Sequence, residues 1–268
     1  MAKTPLPEQL TALISGASSG IGAALATCFA RDGHRLVLVA RSEDKLQALA
    51  TELRAEHGTP VDVLPADLSL PGAAAALATA LRRKRRAVDV LVNNAGVLEQ
   101  GAFTAIDAAR HRQMIALNVA GFTEMLAAFV PAMVERGHGR VLNVASIAAF
   151  QPLPGLATYA ATKAYVLSLT ESLAEELRDT GVSVTALCPG ITATAMLGRA
   201  TALDPRLGRL PGFVVGDVAA VAAEGYRACL AGQVITVPGA VNRAATLASR
   251  ATPRWLLRRI TAAFGRKL

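Results

Sequence analysis

Short apolar runs alternate with longer segments of helical periodicity along most of the chain, and this alternation limits the possible folds more than any other feature. The runs are apolar at consecutive positions, as in "RLVLVA" at 35–40, which is typical of strands covered on both faces. Strict alternation with helices predicts an α/β fold, a doubly wound parallel sheet of about seven strands with helices on both faces. Strands are predicted at 10–15, 35–40, 61–66, 88–93, 140–146, 182–188 and 233–237, and helices at 20–31, 42–57, 71–86, 107–136, 159–179 and 217–231.

Two segments interrupt the alternation, but neither has the composition of a linker between domains. Residues 191–216 contain four glycines and two prolines without clear periodicity. A loop of this length inside a compact domain is usually functional, so a substrate lid is expected here. Residues 250–268 form a basic tail. Because the chain has neither a proline- or serine-rich linker nor a fixed-period repeat, one domain is predicted over 1–268.

The net charge of +8 and the pI near 10 favour anionic ligands such as nucleotides, or anionic surfaces such as lipid or nucleic acid. The densest basic run, "RRKRR" at 82–86, closes an alanine-rich helical segment and has no aromatic residues interleaved for base stacking. This run is therefore predicted to be a solvated helix end, and no nucleic-acid partner is expected.

The apolar runs and the cysteines give expectations about location. No apolar stretch reaches the roughly 18 residues that a membrane span needs, and the N-terminus lacks the apolar region of a signal peptide. The three cysteines, Cys28, Cys188 and Cys229, are odd in number and far apart, so neither a disulfide framework nor a zinc site is expected. They are predicted to be small core residues of a cytoplasmic protein.

A glycine-rich turn, "SGASSGIG" at 15–22, follows the first predicted strand and opens the first helix. Gly16, Gly20 and Gly22 would let the backbone turn tightly and approach a pyrophosphate, whose charge the amides at the helix N-terminus would meet. The spacing G-x-x-x-G-x-G differs from the usual G-x-G-x-x-G, and an ordinary strand-to-helix turn is the alternative. The position after the first strand of a βαβ unit favours dinucleotide binding.

Three further motifs, taken with this turn, resemble the single-domain branch of the short-chain dehydrogenases/reductases. They are "NNAG" at 93–96, Ser146 and "YAATK" at 159–163, and the resemblance runs from about residue 10 to 237 in the family's order and spacing. It implies a Rossmann-like fold, a nicotinamide cofactor, oxidoreductase activity and a homo-oligomer (dimer or tetramer) that pairs through the predicted helices 107–136 and 159–179.

Arg41 directly follows the second predicted strand, which ends at Ala40. In nicotinamide-cofactor folds an acidic residue at this strand end binds the adenine ribose 2′-hydroxyl and selects NAD. Here no carboxylate would repel a 2′-phosphate, and the adjacent guanidinium could pair with it. The sequence therefore predicts NADP(H) as the cofactor. The alternative is a solvated arginine that pairs with Glu43 or Asp44.

The resemblance also implies the other contacts to the cofactor, position by position. The residues of "ADL" would border the adenine, those of "NNAG" would line the adenosine ribose, and those of "PGITAT" would hold the nicotinamide amide. Ordinary turn chemistry at strand ends is the alternative. The predicted cofactor-binding residues are Gly16, Ser18, Ser19, Gly20, Ile21, Gly22, Arg41, Asp67, Leu68, Asn94, Ala95, Gly96, Tyr159, Lys163, Pro189, Gly190, Ile191 and Thr194.

The predicted catalytic residues are Asn118, Ser146, Tyr159 and Lys163. Tyr159 and Lys163 are spaced i, i+4 and share one helix face. A tyrosine normally titrates near pH ~10, and a nearby ammonium would lower its pKa towards neutral pH. Ser146 could donate a hydrogen bond to a substrate carbonyl, and the resemblance implies that Asn118 supports a water chain to the lysine. Tyr165 faces elsewhere on the helix and is given a structural role.

The leading hypothesis is an NADP(H)-dependent oxidoreductase that transfers a hydride between the nicotinamide and a carbonyl or secondary alcohol. Tyr159 would be its general acid and base, and no metal is expected because the four histidines fit no ligand spacing. One alternative is a non-catalytic dinucleotide-binding redox sensor, which would not need the proton-transfer residues. Another is an epimerase or dehydratase of the superfamily's extended branch, whose chains are usually longer.

The substrate wall is expected from 147–158 and 191–216. These segments are mostly apolar and show no arginine pair for a carboxylate, which favours a hydrophobic ketone or alcohol over a sugar or a small acid. The apolar residues are Phe150, Leu153, Leu156, Met196, Leu197 and Phe213.

The basic tail has an amphipathic pattern over 254–264. On a helical projection Leu256, Leu257, Ile260 and Phe264 share one face, and Arg254, Arg258 and Arg259 fall on the other. Such a helix could dock its apolar stripe on the protein or at a subunit interface, or it could lie on an anionic membrane as a peripheral contact.

Overall fold

The computed structural model describes residues 9–194 and 215–265, with side chains up to residue 262. Within these residues seven parallel strands form one sheet in the order β3-β2-β1-β4-β5-β6-β7, which confirms the predicted doubly wound α/β fold. The strands are β1 (Thr11–Ser15), β2 (Arg35–Val39), β3 (Val61–Val63), β4 (Val90–Asn93), β5 (Gly139–Val144), β6 (Val182–Leu187) and β7 (Ile235–Thr236).

Helices cover both faces of the sheet and continue beyond its last strand. A π-helical turn, Ala116–Gly121, joins the fourth helix to the fifth without a break. A short 3₁₀ helix, Ile147–Phe150, follows β5. The α-helices are α1 (Gly20–Arg31), α2 (Glu43–His57), α3 (Ala73–Arg83), α4 (Ala108–Ile115), α5 (Phe122–Arg136), α6 (Ala157–Glu176), α7 (Val218–Leu230), α8 (Ala240–Ala251) and α9 (Arg254–Gly265).

The core consists of two aliphatic layers, one on each face of the sheet, because successive strand residues point in opposite directions. In β1, Leu13 belongs to one layer, while Ala12 and Ile14 belong to the other, and all three are fully buried. Burying a Leu or Ile side chain completely contributes about 1.5–3 kcal/mol. Covering both faces therefore explains why the strands are apolar at consecutive positions.

The strand order reverses between β1 and β4, and this reversal locates the candidate site. Neighbouring β1 and β2 align Ser15 with Val39, and β4 and β5 align Asn93 with Asn143. The loops after these strands therefore leave from the same edge of the sheet. In open α/β sheets a crevice forms at this edge, outside the carboxyl ends of the strands.

The observed elements differ from the predicted ones at several places, and β7 spans only Ile235–Thr236 of the predicted 233–237. Strand β3 stops at Val63, although the amides of Leu64 and Ala66 still bond to β2 and to Ala40 beyond its end. Helix α8 was not predicted, because its inward side chains are polar and gave no core-like pattern. Most of the predicted lid, 195–214 with Met196, Leu197 and Phe213, lies outside the described residues.

The helical segment Ala108–Arg136 is the longest apolar element in the described part of the chain. By length and a mean hydropathy of 1.5 it could cross a membrane, so the expectation that no segment reaches this length was wrong. The segment has no long uninterrupted apolar run, because polar residues lie among its apolar ones, and its hydropathy is high only as an average. In the fold it packs Met125, Phe129 and Met133 into the core, as a core helix does.

The cysteines and the basic run match their predictions. Cys28, Cys188 and Cys229 are all buried and free. The basic run 82–86 is exposed and spans the end of α3, which stops at Arg83, as a solvated helix end does.

Candidate active site

The glycine-rich turn has no room for side chains where it joins α1. Gly16 and Gly20 have φ values of +66° and +59°, which favour glycine. A Cβ atom on Gly22 would lie 2.4 Å from the carbonyl oxygen of Gly16 and 2.5 Å from Nδ2 of Asn94. The helix therefore starts directly against the turn, so its free amides face the edge of the sheet where a pyrophosphate could bind.

Ser15 and Asn94 hold this turn against the end of β4. The Ser15 hydroxyl accepts hydrogen bonds from the backbone amides of Asn94 and Ala95, at 2.9 and 3.0 Å. In return, Asn94 Nδ2 donates to the carbonyl oxygen of Ser15 at 2.9 Å. The hydroxyl at position 15 therefore has a structural task, which the sequence did not reveal.

Arg41 lies exposed just beyond the end of β2. It makes no ion pair with any residue in the described ranges, so the alternative pairing with Glu43 or Asp44 is not found. The pKa of the Asp67 carboxyl lies below its usual value, mainly because of a hydrogen bond from Ser69. The nearby charge of Arg41 lowers this pKa further.

Leu68 was predicted to border the adenine, and the structure places its side chain away from solvent. Its side chain is buried in the core, and its carbonyl oxygen lies so close to Gly121 that a Cβ atom there would not fit. Only its backbone could border a bound adenine.

Asn118 occupies the π-helical turn between α4 and α5 and is buried. Its Oδ1 accepts from the amide of Val97 at 2.9 Å, and its Nδ2 donates to the carbonyl oxygen of Val97 at 2.8 Å. Nδ2 also lies 3.2 Å from the hydroxyl of Thr162. Asn118 therefore connects the loop after β4 to helix α6. Its position in a π-helical turn is typical of functional sites.

Lys163 and Tyr159 project from α6 towards the end of β5, where Ser146 lies. Lys163 is buried and its Nζ donates to the carbonyl oxygen of Val144 at 2.8 Å. The same Nζ lies 5.8 Å from the centre of the Tyr159 ring. A Cβ atom on Gly96 would be 3.5 Å from this Nζ and 3.3 Å from Oδ1 of Asn118, so the loop after β4 packs closely against both side chains. The structure thus brings Ser146, Tyr159 and Lys163 together.

The pKa of Tyr159 is shifted in the direction opposite to the one expected. Burial raises it above the usual value, and a hydrogen bond with Ser146 opposes only part of this rise. Burial likewise lowers the pKa of Lys163 to about 8. Desolvation disfavours the charged form of both groups. The expected lowering of the Tyr159 pKa by Lys163 is not found: the Lys163 Nζ bonds to the carbonyl oxygen of Val144 and lies 5.8 Å from the centre of the Tyr159 ring.

The segment after β6 passes in front of this site towards the glycine-rich turn. The amide of Ile147 bonds to the carbonyl oxygen of Pro189 at 3.0 Å. A Cβ atom on Gly20 would lie 3.2 Å from the methyl group of Thr194. A Cβ atom on Gly190 would lie 2.5 Å from the amide of Asn242, so α8 packs tightly on this segment.

Residues 10–204 match the family described as short chain dehydrogenase. The chain belongs to the short-chain dehydrogenase family. A solved short-chain dehydrogenase from Sphingobium yanoikuyae, in complex with NADPH, is 39% identical with a TM-score of 0.80, over 89% of this chain and 92% of that one.

Of two further solved structures, one is named for its substrate class and the other for its bound cofactor. The bulky-bulky ketone specific alcohol dehydrogenase from Comamonas testosteroni is 32% identical with a TM-score of 0.76, over 92% of this chain and 96% of that one. A short-chain dehydrogenase/reductase from Burkholderia phymatum, in complex with NAD, is 27% identical with a TM-score of 0.81, over 90% and 94%.

The short-chain dehydrogenase site fits a nicotinamide dinucleotide in its shape. Side chains at Gly16, Gly22 or Gly96 would press on Asn94, on the backbone or on Asn118, so these positions stay bare along the edge of the sheet. This bare edge runs from the end of β2 to the buried lysine, as an extended dinucleotide requires.

Two residues that support this site were not identified from the sequence. Thr162 accepts from Asn118 and donates to the carbonyl oxygen of Tyr159 at 2.8 Å. Asn242, which covers Gly190, donates to the carbonyl oxygen of Pro238 at 2.8 Å. Only the "YAATK" motif could have drawn attention to Thr162. Tyr165, expected to be structural, bonds to Thr123 at 2.8 Å.

Proposed function

We propose that this short-chain dehydrogenase is an NADP(H)-dependent enzyme that reduces a hydrophobic ketone, or oxidises the corresponding secondary alcohol, with Tyr159 as general acid and base. The observation that carries the proposal is the meeting of Ser146, Tyr159 and buried Lys163 at the end of β5. A non-catalytic redox sensor would have no use for a tyrosine and a lysine held beside the Ser146 hydroxyl.

When bound, the nicotinamide would supply or accept a hydride at the substrate carbon. Tyr159 would donate its phenolic proton to the developing alkoxide, and Ser146 would donate a hydrogen bond to the same oxygen. A phenol holds its proton at neutral pH even at its usual pKa, so Tyr159 carries the proton that this direction needs, although burial raises its pKa and makes it a weaker acid. Lys163 would bind the nicotinamide ribose through its Nζ.

Arg41 supports the preference for NADP(H). Its guanidinium is exposed and free of ion pairs with described residues, so it is available to a 2′-phosphate. Ala40 places no carboxylate beside it. The exposed edge between Arg41 and Asp67 would hold the adenosine end of the cofactor.

The substrate class rests on the residues that follow Ser146. Phe150, Leu153 and Leu156 are partly exposed apolar side chains on the segment between β5 and α6. A wall of this kind favours an apolar group on either side of the carbonyl, and the ketone specificity of the Comamonas relative supports the same class.

The experiment pairs two tyrosines of the same helix. Purified protein and NADPH would be screened against bulky ketones, and the best substrate used to compare Tyr159→Phe with Tyr165→Phe. We expect Tyr159→Phe to lower kcat about 10²–10⁴-fold with NADPH binding unchanged, since this is what general acid catalysis contributes. Tyr165→Phe should keep near wild-type activity. Full activity in Tyr159→Phe would refute the assignment, and NADPH binding without turnover of any ketone would favour the sensor.

A further inference from the structure

The chain's entire net charge lies in its C-terminal part. Residues 225–268 contain eight Lys and Arg and no Asp or Glu, whereas residues 1–224 contain 20 of each sign. Arg243 and Arg250 are paired with Glu224 and Glu171, at 3.1 and 3.6 Å. The arginines of α9, which are Arg254, Arg258 and Arg259, make no ion pair with any described residue. The last helix therefore carries a concentrated positive charge that the described residues do not neutralise.

Helix α8 is amphipathic, but its polar face packs on the protein and its apolar face is exposed. Its inward face is polar: Thr246 and Ser249 are buried, and half-buried Asn242 packs on Gly190 of the candidate active site. Its exposed face is apolar: Val241 and Leu247 are 57% and 67% exposed, with exposed alanines between them. A helix on the surface of a globular protein normally turns its apolar face inward. The exposed face of α8 is therefore suited to an apolar environment outside the protein.

Helix α9 uses only part of its apolar stripe to dock on the protein. Leu257 and Thr261 are buried, whereas Trp255, Leu256 and Ile260 are 56%, 37% and 43% exposed. Helix α9 therefore packs on the protein through part of its stripe, while the expected contact with a membrane stays a prediction. Phe264, assigned to the same stripe, lies beyond the described side chains. Trp255 also lies 5.7 Å below the guanidinium of Arg259, so aromatic and cationic groups share the outer side.

We propose that α8 and α9 form a C-terminal surface that binds an anionic membrane. This surface consists of Val241, Leu247, Trp255, Leu256 and Ile260 with the arginines of α9. Amphipathic helices lie in the interfacial plane of a bilayer with apolar side chains at the level of the acyl boundary and cations at the headgroups. Tryptophan suits this boundary, and each arginine near an anionic surface strengthens binding.

A second copy of the chain fits the same surface less well. Pairing two such surfaces would bring like charges together without a single carboxylate from 225–268 to separate them. An anionic lipid layer supplies both the negative charge and the apolar interior that the surface requires.

The single tryptophan of the chain is Trp255, so its fluorescence reports on this surface alone. The full-length protein would be titrated with phosphatidylcholine vesicles, with and without phosphatidylglycerol. We expect a blue shift and co-sedimentation with the anionic vesicles, both weakened by salt because screening reduces the electrostatic part. Unchanged emission and no sedimentation with anionic vesicles would overturn the proposal.

Matched charge variants separate a specific surface from general attraction. R254Q/R258Q/R259Q should bind anionic vesicles about 100-fold more weakly, given the contribution of each arginine near such a surface. R82Q/R83Q/R86Q removes the same charge from the exposed end of α3 and should bind like the wild type.

Two further outcomes would overturn the proposal. One is equal loss of binding in both charge variants, which would mean general attraction of a basic protein. The other is a blue-shifted emission without vesicles that moves to the red as the protein dissociates on dilution, which would mean that a second copy covers the surface. By contrast, L256S/I260S should keep the oligomeric state of the wild type and lose most of the vesicle binding.

Discussion

The two ends of the candidate cofactor site are built in different ways. At the catalytic end Lys163 is buried and bonded to a backbone carbonyl, and Asn118 is held by three hydrogen bonds. At the adenine end Arg41 is exposed and pairs with no described residue. The position of a buried, hydrogen-bonded side chain depends on its partners, so replacing it also disturbs them. An exposed side chain without such bonds can be replaced without this effect. Substitutions at the catalytic end should therefore affect turnover and stability together, while a change of Arg41 should affect only cofactor choice.

The largest effect in this comparison after loss of Tyr159 is expected from Ser146→Ala. Removing a hydrogen-bond donor to a developing oxyanion costs about 10²–10³-fold in kcat. The variant also loses the hydroxyl that accepts from the amide of Ala148 at 3.1 Å, so its Tm should fall slightly. Steady-state kinetics and thermal unfolding would test this. Ser168→Ala on α6, away from the site, is the control, and an equal loss in both variants would contradict the assigned role.

Arg41→Asp should lower kcat/KM for NADPH about 100-fold and leave stability unchanged. A charge-assisted hydrogen bond to phosphate would be lost, and the new carboxylate would repel the 2′-phosphate. Comparing NADPH with NADH in the wild type and the variant measures the preference. Arg83→Asp makes the same charge change at an exposed position on α3. A wild type that uses NADH as well as NADPH would refute the proposed specificity.

Lys163→Met should abolish the pH dependence that a buried lysine gives to stability. The pKa of Lys163 is about 8 in the folded protein and 10.5 without burial. The unfolded chain thus holds more protons between these values, so the free energy of unfolding of the wild type should rise with pH there, by on the order of 2–3 kcal/mol relative to the variant. Denaturant unfolding at pH 7.5 and pH 10 would measure the difference. If the wild type and Lys163→Met differ in free energy of unfolding by the same amount at both pH values, the lowered pKa of Lys163 is contradicted.

The smallest effect is expected from Thr162→Val. This substitution removes the hydroxyl that accepts from Asn118, a bond whose net worth is about 0.5–1.5 kcal/mol, so kcat should fall roughly threefold. Thr170→Val is a close control, because Thr170 also lies on α6 and accepts from a buried amide, that of Asn143, at 2.9 Å. Loss of stability without loss of kcat in Thr162→Val would show that the bond is only structural.

Much of the site could be predicted because its residues lie at strand ends. The glycine-rich turn, Asn94 and Ser146 each follow a strand, and parallel strands bring their carboxyl ends to one edge. Thr162 and Asn242 could not be predicted, since nothing local distinguishes them from other polar helix residues. Their roles come from contacts with segments that are 44 and 52 residues away in the chain, at Asn118 and Gly190.

By itself, the sequence determined the parallel sheet, the order of its elements and the residue types at the strand ends, because these depend on local periodicity and on turn chemistry. Only the tertiary structure decided how those residues titrate and which surfaces stay exposed. Burial raises the pKa of Tyr159 and lowers that of Lys163. The packing leaves Arg41 exposed and without an ion pair to any described residue, and it leaves Val241 and Leu247 of α8 exposed. Each of these outcomes depends on neighbours distant in the chain, since desolvation is set by whatever packs around a group.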